Sequence, residues 1–179
     1  MSDPRATIAH CPQCGKAEWE TRVPRADDKP RQCCLGCGYV HYVGPVLAAG
    51  VILRDGDRYC LVRRAHEPGR GLWSFPGGFV DLHEEPSDAA IREVLEETGY
   101  VAEVDELIGL YTSTGPGGKC VAIAVYAGRV IGGSDAEAIA PSEEVAAIRW
   151  FDHTELPWDE FAFESTANVL RAFVERAHG

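Results

Sequence analysis

With 179 residues and an apolar fraction of 45%, the chain has the length for one ordinary domain, or one domain with a small appendage. Its formal net charge of −11 argues against non-specific nucleic-acid binding across the whole surface. No apolar run approaches the length that crosses a bilayer, and Met1-Ser-Asp-Pro-Arg shows no secretory signal, so the expected location is the cytoplasm and no membrane partner is expected.

Residues 1–43 read as a small module, rich in Cys, Gly, Pro and charge and without long apolar periodicity. Five of the seven cysteines fall within the first 37 residues, which points to metal rather than to a disulfide framework. Cys11-Pro-Gln-Cys14-Gly and Cys34-Leu-Gly-Cys37-Gly form two C-x2-C knuckles separated by 19 residues. Four thiolates make a closed tetrahedral zinc site, structural because no position is left for water. Such a site supplies folding energy to a segment that has no core of its own. Cys33 competes with Cys34, but the repeated C-x2-C-G favours Cys34. His10 and His41 read as bystanders. A zinc ribbon often binds nucleic acid or protein. This one is nearly neutral, and four thiolates with one Zn²⁺ are themselves anionic, so a structural or dimerising role is expected.

Residues 44–179 read as the main domain. Val46 to Leu53 predicts a strand, Asp55-Gly56-Asp57 a hairpin, and Arg58 to Arg63 the return strand. A glycine-rich loop runs from Pro68 to Gly78. Glu85-Pro86 opens a helix and Gly99 ends it, with Ile91, Val94, Leu95 and Thr98 as its apolar stripe. Val101 to Thr114 and Cys120 to Ala127 predict strands around a turn at Gly115 to Gly118. Residues 128–143 read as a loop, Val145 to Phe151 as a strand, and Asp159 to Ala177 as a closing helix. Phe161, Val169, Leu170, Phe173 and Val174 lie roughly on one side of that helix. Cys60 and Cys120 fall in strands and read as small buried residues.

The other face of the 85–99 helix carries Arg92, Glu93, Glu96 and Glu97. At roughly 100° per residue the three glutamates fall within about 100° of arc. Like charges at i, i+4 cost an isolated helix about 0.2–0.5 kcal/mol per pair. A fold gains nothing from this unless something positive sits against them. Hard divalent cations want oxygen ligands, and Mg²⁺ commonly takes a few carboxylates together with substrate phosphates.

The string from Gly78 to Tyr100 has glycine, five residues, Glu84, seven residues, then Arg92-Glu93-Val94-Leu95-Glu96-Glu97-Thr98-Gly99-Tyr100. It resembles the Nudix box, departing only in Tyr100, where a small aliphatic is usual. Trp73-Ser-Phe-Pro-Gly-Gly78 resembles the family's lead-in. The resemblance implies an α/β Nudix fold, a mixed sheet between helices, here with a small N-terminal zinc ribbon. It implies that Glu93 and Glu97 are principal ligands of Mg²⁺ or Mn²⁺ and Glu96 an additional one, with the Gly77 carbonyl close by and Gly78 beside it. Arg92 and Glu84 would pair to fix the loop against the helix. The general base often lies outside the box, near a late strand; Glu144 is the first choice, with Glu143 and Glu96 as alternatives. Arg63 and Arg64 are candidate phosphate contacts. Trp73, Phe79, Trp158 and Phe161 either stack on an adenine or pack in the core.

The zinc ribbon, the box and the tail Leu156-Pro-Trp-Asp-Glu-Phe-Ala-Phe-Glu164 resemble Nudix enzymes acting on ADP-ribose and FAD. The expected activity is metal-dependent hydrolysis of the pyrophosphate of a small nucleotide, ADP-ribose or FAD, releasing AMP. Pro116, sixteen residues after Tyr100, points the same way. An NADH pyrophosphatase or NAD-cap hydrolase is the enzyme alternative, although Leu110 to Gly118 lacks that group's downstream motif. A sensor that binds ADP-ribose is the non-enzyme alternative. A homodimer is implied by resemblance alone.

Overall fold

The computed structural model describes residues 7–25, 27–114, 119–133 and 143–179. They fall into two compact units, the larger drawn from Val46–Ser113 and Val121–Gly179 and the smaller from the residues up to Pro45 together with Thr114–Cys120. In the smaller unit, β1 (Trp19–Arg22), β2 (Arg31–Cys34) and β3 (Val40–His41) form an antiparallel sheet in the order β1-β2-β3. The sequence gives little warning of these strands, since none has an apolar alternation of its own. Pairing, not burial, defines them: Trp19 stands opposite Cys34 and Arg22 opposite Arg31.

The larger unit is built on a mixed sheet of β4 (Val46–Asp55), β5 (Arg58–Arg64), β6 (Trp73–Ser74), β7 (Gly77–Phe79), β8 (Tyr100–Thr114), β9 (Cys120–Gly133) and β10 (Val145–Asp152). The long strands lie in the order β10-β5-β4-β9-β8, with β6 on β5 and β7 on β4. β4 and β9 run parallel, Val46 against Val121 through Arg54 against Arg129. The pairings of β10 with β5, β4 with β5, β4 with β7 and β5 with β6 are antiparallel. Two helices complete it, α1 (Pro86–Thr98) and α2 (Glu164–His178).

Strand periodicity of two sorts the side chains between these helices. Ile52, Tyr59 and Leu61 pack with Val169, Leu170, Phe173 and Val174 of α2. Val51, Leu53 and Cys60 pack with Ala89, Ala90 and Val94 of α1. Each fully buried side chain of the Leu170 or Val94 kind contributes about 1.5–3 kcal/mol by leaving water. Among the described residues, no helix is long and apolar enough to cross a membrane.

Three expectations shift. β9 continues to Gly133 where a loop over 128–143 is expected. Gly128, which reads as a loop signal, is instead a packing requirement: a Cβ there would lie 2.8 Å from both the Glu103 carbonyl and a Val51 methyl. Residues 134–142 of that expected loop, and the expected turn at 115–118 with Pro116, lie outside the described residues. In α1, Leu95 is 50% exposed and the buried positions are Ala89, Ala90, Glu93, Val94 and Thr98. The stripe toward the sheet is thus made of smaller residues and takes in one carboxylate. α2 starts at Glu164 rather than near Asp159. The preceding residues make a single turn, Trp158–Glu160, and Phe161 bridges to Trp73 in sheet fashion.

Candidate functional site

The cysteine centre comes first along the chain. The Sγ atoms of Cys11, Cys14, Cys34 and Cys37 all lie within 4.8 Å of one another. Cys11–Cys37 and Cys14–Cys34 are each 3.6 Å apart. Tetrahedral zinc with bonds of about 2.3 Å sets its sulfurs about 3.8 Å apart, so the four residues fit zinc. Gly15 and Gly38 follow each pair at φ +74° and +78°, where a side chain would be strained. Their N–H groups close the two turns onto the carbonyls of Cys11 and Cys34. Cys33 is fully buried, and its Sγ lies 3.7 Å from the Arg31 carbonyl, outside the four-sulfur group.

The carboxylate face of α1 looks into a cavity of about 430 Å³. Proline at its first turn starts α1, and Gly99 at φ 69° ends it by donating its N–H to the Leu95 carbonyl. Glu93 and Glu97 line the cavity from the helix, Gly77 and Gly78 from β7, Arg64 from the end of β5, and Glu144 from the residue before β10. Gly77 donates its N–H to Glu97 Oε2 at 2.9 Å. At Gly78 a Cβ would fall on the Glu93 carboxyl group, so the absence of a side chain there is what lets Glu93 lie against β7.

Arg92 organises the rim. Its Nε and Nη2 donate to the two Glu84 carboxylate oxygens at 2.9 and 3.0 Å, a two-pronged pair. Nη1 donates to Glu93 at 2.9 Å and to Glu96 at 3.0 Å, and Nη2 also reaches the Phe79 carbonyl at 3.1 Å. The guanidinium hydrogen bonds hold Glu84 down to about 2. Burial, against the pull of Arg92, pushes Glu93 up from the usual carboxylate value. Burial pushes Glu97 up to about 8, reinforced by the charges of Glu93 and Glu144 and opposed by the Gly77 N–H and by Arg64. Three carboxylates converging in a partly desolvated pocket, two of them reluctant to ionise, are short of positive charge. That donor set fits a hard divalent cation.

The shift of Glu97 has a direct consequence for stability. Between 4.5 and about 8 the folded chain holds a proton on Glu97 that the unfolded chain has released, so stability falls as pH rises through that window. In zinc-loaded protein without added Mg²⁺ or Mn²⁺, the melting temperature is expected to drop across this range, by a few kcal/mol of stability at most. Glu97→Gln should flatten the curve, and added Mg²⁺ should raise the melting temperature more at pH 8 than at pH 5. Parallel melting curves for wild type and variant would contradict this.

Not every expected residue reaches the cavity. Glu96 is exposed and engages Arg92. Glu84 serves Arg92 rather than lining the cavity. Among the described residues Glu143 is exposed and outside the lining, whereas Glu144 lies in it and its carbonyl accepts the Ala65 N–H at 2.9 Å. Arg63 and Arg64 separate as strand neighbours do: Arg64 lines this cavity, and Arg63 lies in a second concavity with Trp73. His66, Glu67 and Asp81 line the cavity without having been anticipated. The first two follow β5, beyond the reach of strand periodicity, and Asp81 occupies a spacer position of the box. Phe79 lines the cavity and is 59% exposed. Trp73 is buried, and Trp158 stacks on Phe161. Tyr100, the departure from the box, accepts a hydrogen bond from the Trp150 indole at 2.9 Å. A small aliphatic would leave that indole N–H without this partner.

Comparison with known proteins agrees with this geometry. Residues 44–173 match the family model described as NUDIX domain, and residues 9–43 the one described as Nudix N-terminal, a zinc-ribbon family. An ADP-ribose pyrophosphatase of Methanocaldococcus jannaschii is 32% identical over 121 residues, 66% of this chain and 69% of the relative. A protein named putative 8-oxo-dGTP diphosphatase of Bacillus subtilis is 35% identical over 107 residues, 60% of this chain and 66% of the relative. The matched regions thus span about two thirds of these relatives. Among solved structures, a NUDIX hydrolase from Nitrosomonas europaea superposes with a TM-score of 0.81 at 31% identity, covering 96% of this chain and 94% of that one.

Proposed function

The chain belongs to the Nudix hydrolase family, and from that premise we propose that it hydrolyses the pyrophosphate of ADP-ribose or FAD, releasing AMP. The observation that carries the reading is the cavity in which Glu93, Glu97 and Glu144 face inward beside Arg64 and the Gly77–Gly78 backbone. The similarity to the M. jannaschii ADP-ribose pyrophosphatase over 121 residues supports the choice of nucleotide.

Glu93 and Glu97 would hold Mg²⁺ or Mn²⁺, with Gly77 beside them. Such an ion neutralises the pyrophosphate and makes water a better nucleophile near neutral pH. Arg64 gives the pyrophosphate a cation on the same wall. Glu144, which lines the cavity on a segment tied to β5 through the Ala65 N–H, would take a proton from the attacking water. Arg92 acts through others: by clamping Glu84 and Glu93 it fixes the loop to the helix. Glu96, exposed and drawn to Arg92, would at most contribute to the ion from outside the cavity.

Release of AMP with Mg²⁺ from ADP-ribose, FAD and NADH, and of nicotinamide mononucleotide from NAD-capped RNA, with 8-oxo-dGTP hydrolysis alongside, tests the assignment. The highest kcat/KM is expected for ADP-ribose or FAD. Preference for 8-oxo-dGTP or NADH would overturn the substrate reading, and tight ADP-ribose binding without turnover would replace the enzyme by a sensor.

A further inference from the structure

A second concavity, of about 580 Å³, is lined by Arg63, Trp73, Arg149, Phe151, Glu155 and Glu160. Its size is that of a small-ligand site, yet none of the box residues reaches it. Trp73 and Phe151 form its floor, edge to face at 5.1 Å and almost fully buried. Each carries a guanidinium: Arg63 lies 5.8 Å from the centre of the Trp73 ring and Arg149 4.7 Å from that of Phe151. The register places Ala147 opposite Arg63 and Arg149 opposite Leu61. The two arginines are therefore diagonal neighbours on one face of the sheet, a spacing of about 7–8 Å. Arg63 is further fixed by donating its Nε–H to the Gly71 carbonyl at 2.6 Å.

Attraction to an aromatic ring holds a guanidinium in place and leaves N–H donors for a ligand. Among the described residues neither arginine has a carboxylate within ion-pairing distance, although Glu155 and Glu160 share the concavity. Two guanidinium groups lining one concavity from diagonal positions suit the oxygens of one phosphate group. Glu155 and Glu160, which share the lining, would repel a phosphate that came close to them. They accept hydrogen bonds well from hydroxyls, as an acidic residue does from a ribose diol.

We propose that this concavity binds a phosphorylated sugar, with the phosphate against Arg63 and Arg149 and the sugar hydroxyls against Glu155 and Glu160. A nucleoside monophosphate and a free sugar phosphate share that chemistry. Both are the kinds of product that hydrolysis of a nucleoside-diphosphate sugar releases, so the site would read product without occupying the catalytic carboxylates. The geometry of the concavity is the same whichever substrate the catalytic cavity prefers.

The test is equilibrium binding of AMP, ribose 5-phosphate and inorganic phosphate to the full, zinc-loaded chain without added divalent metal, by calorimetry and tryptophan fluorescence. At least one of the two sugar phosphates should bind, and more tightly than inorganic phosphate. Arg149→Ala should weaken it at least tenfold, Glu155→Gln should weaken it while leaving inorganic phosphate unchanged, and Arg64→Ala in the other cavity should have little effect. AMP binding alone would assign the site to nucleotides, and ribose 5-phosphate binding alone to sugar phosphates. The proposal is overturned if neither binds, if Arg149→Ala binds like wild type, or if Arg64→Ala abolishes binding. Melting curves of the variants check that the exposed substitutions leave the fold intact. Hydrolytic activity is not part of the readout, so failure here leaves the catalytic assignment standing, and the reverse.

Discussion

Glu97→Gln is expected to lower kcat/KM by about 10³-fold or more, equivalent to about 4 kcal/mol of transition-state stabilisation, while the chain stays folded. The amide keeps the side chain's size and can still accept the Gly77 N–H, so the contact between α1 and β7 survives. What goes is an anionic oxygen in a pocket where burial already drives the carboxyl up to about 8. The neutral amide removes a charge whose ionisation the fold resists, so the variant should melt no lower than wild type near pH 8. Its neighbours rank in an order set by position. Glu93→Gln should match Glu97→Gln within about tenfold, since both carboxylates line the cavity. Glu96→Gln should cost about tenfold or less, because that side chain is exposed and spends itself on Arg92. Glu144→Gln should lower kcat with KM little changed, whereas Glu143→Gln should stay within about twofold. Steady-state kinetics with Mg²⁺, alongside circular dichroism, decides each case. Full activity in Glu97→Gln would remove the metal assignment.

Much of this site could be read from residue spacing, because a helix repeats. Glu93 and Glu97 are one turn apart, and a 3.6-residue period alone puts them on one face. The helix ends were equally readable, since Pro86 and Gly99 carry backbone preferences that hold in any fold. Leu95 was misjudged for a related reason: periodicity identifies a face, but which residues reach the sheet depends on its surface, and here Ala89, Ala90 and Val94 lie against it. Arg63 and Arg64 looked equivalent as a pair. The alternation of a strand separates them, and only the end point of β5 shows which cavity each meets. His66 and Glu67 were out of reach because a loop has no period from which to project a direction. β9 runs past the point where a loop is expected because a closely approaching neighbour, as at Gly128 and Gly133, demands glycine just as a loop does.

Loss of zinc should unfold the first 45 residues as a unit. Among the described residues of that segment, the buried ones are Cys11, Pro24, Cys33 and Cys34, so two of the four are themselves in the four-sulfur group. Three strands of four, four and two residues cannot stand as an isolated sheet without a packed face. A structural zinc site contributes on the order of 10–16 kcal/mol of apparent binding energy at neutral pH, available as folding energy, and nothing else in the segment approaches that. Purified protein should therefore hold one equivalent of zinc. A thiol-reactive mercurial with a zinc indicator should release it, and residues 1–45 should then become sensitive to protease and lose slow amide exchange. Cys14→Ser should do the same at the gene level. Cys33→Ser is the discriminating variant: its sulfur faces the Arg31 carbonyl rather than the other four, so it should keep one zinc. Zinc retained in Cys34→Ser but lost in Cys33→Ser would reverse the choice between these adjacent residues. A segment that stayed protected without metal would mean that the strands cohere through interactions other than the four thiolates.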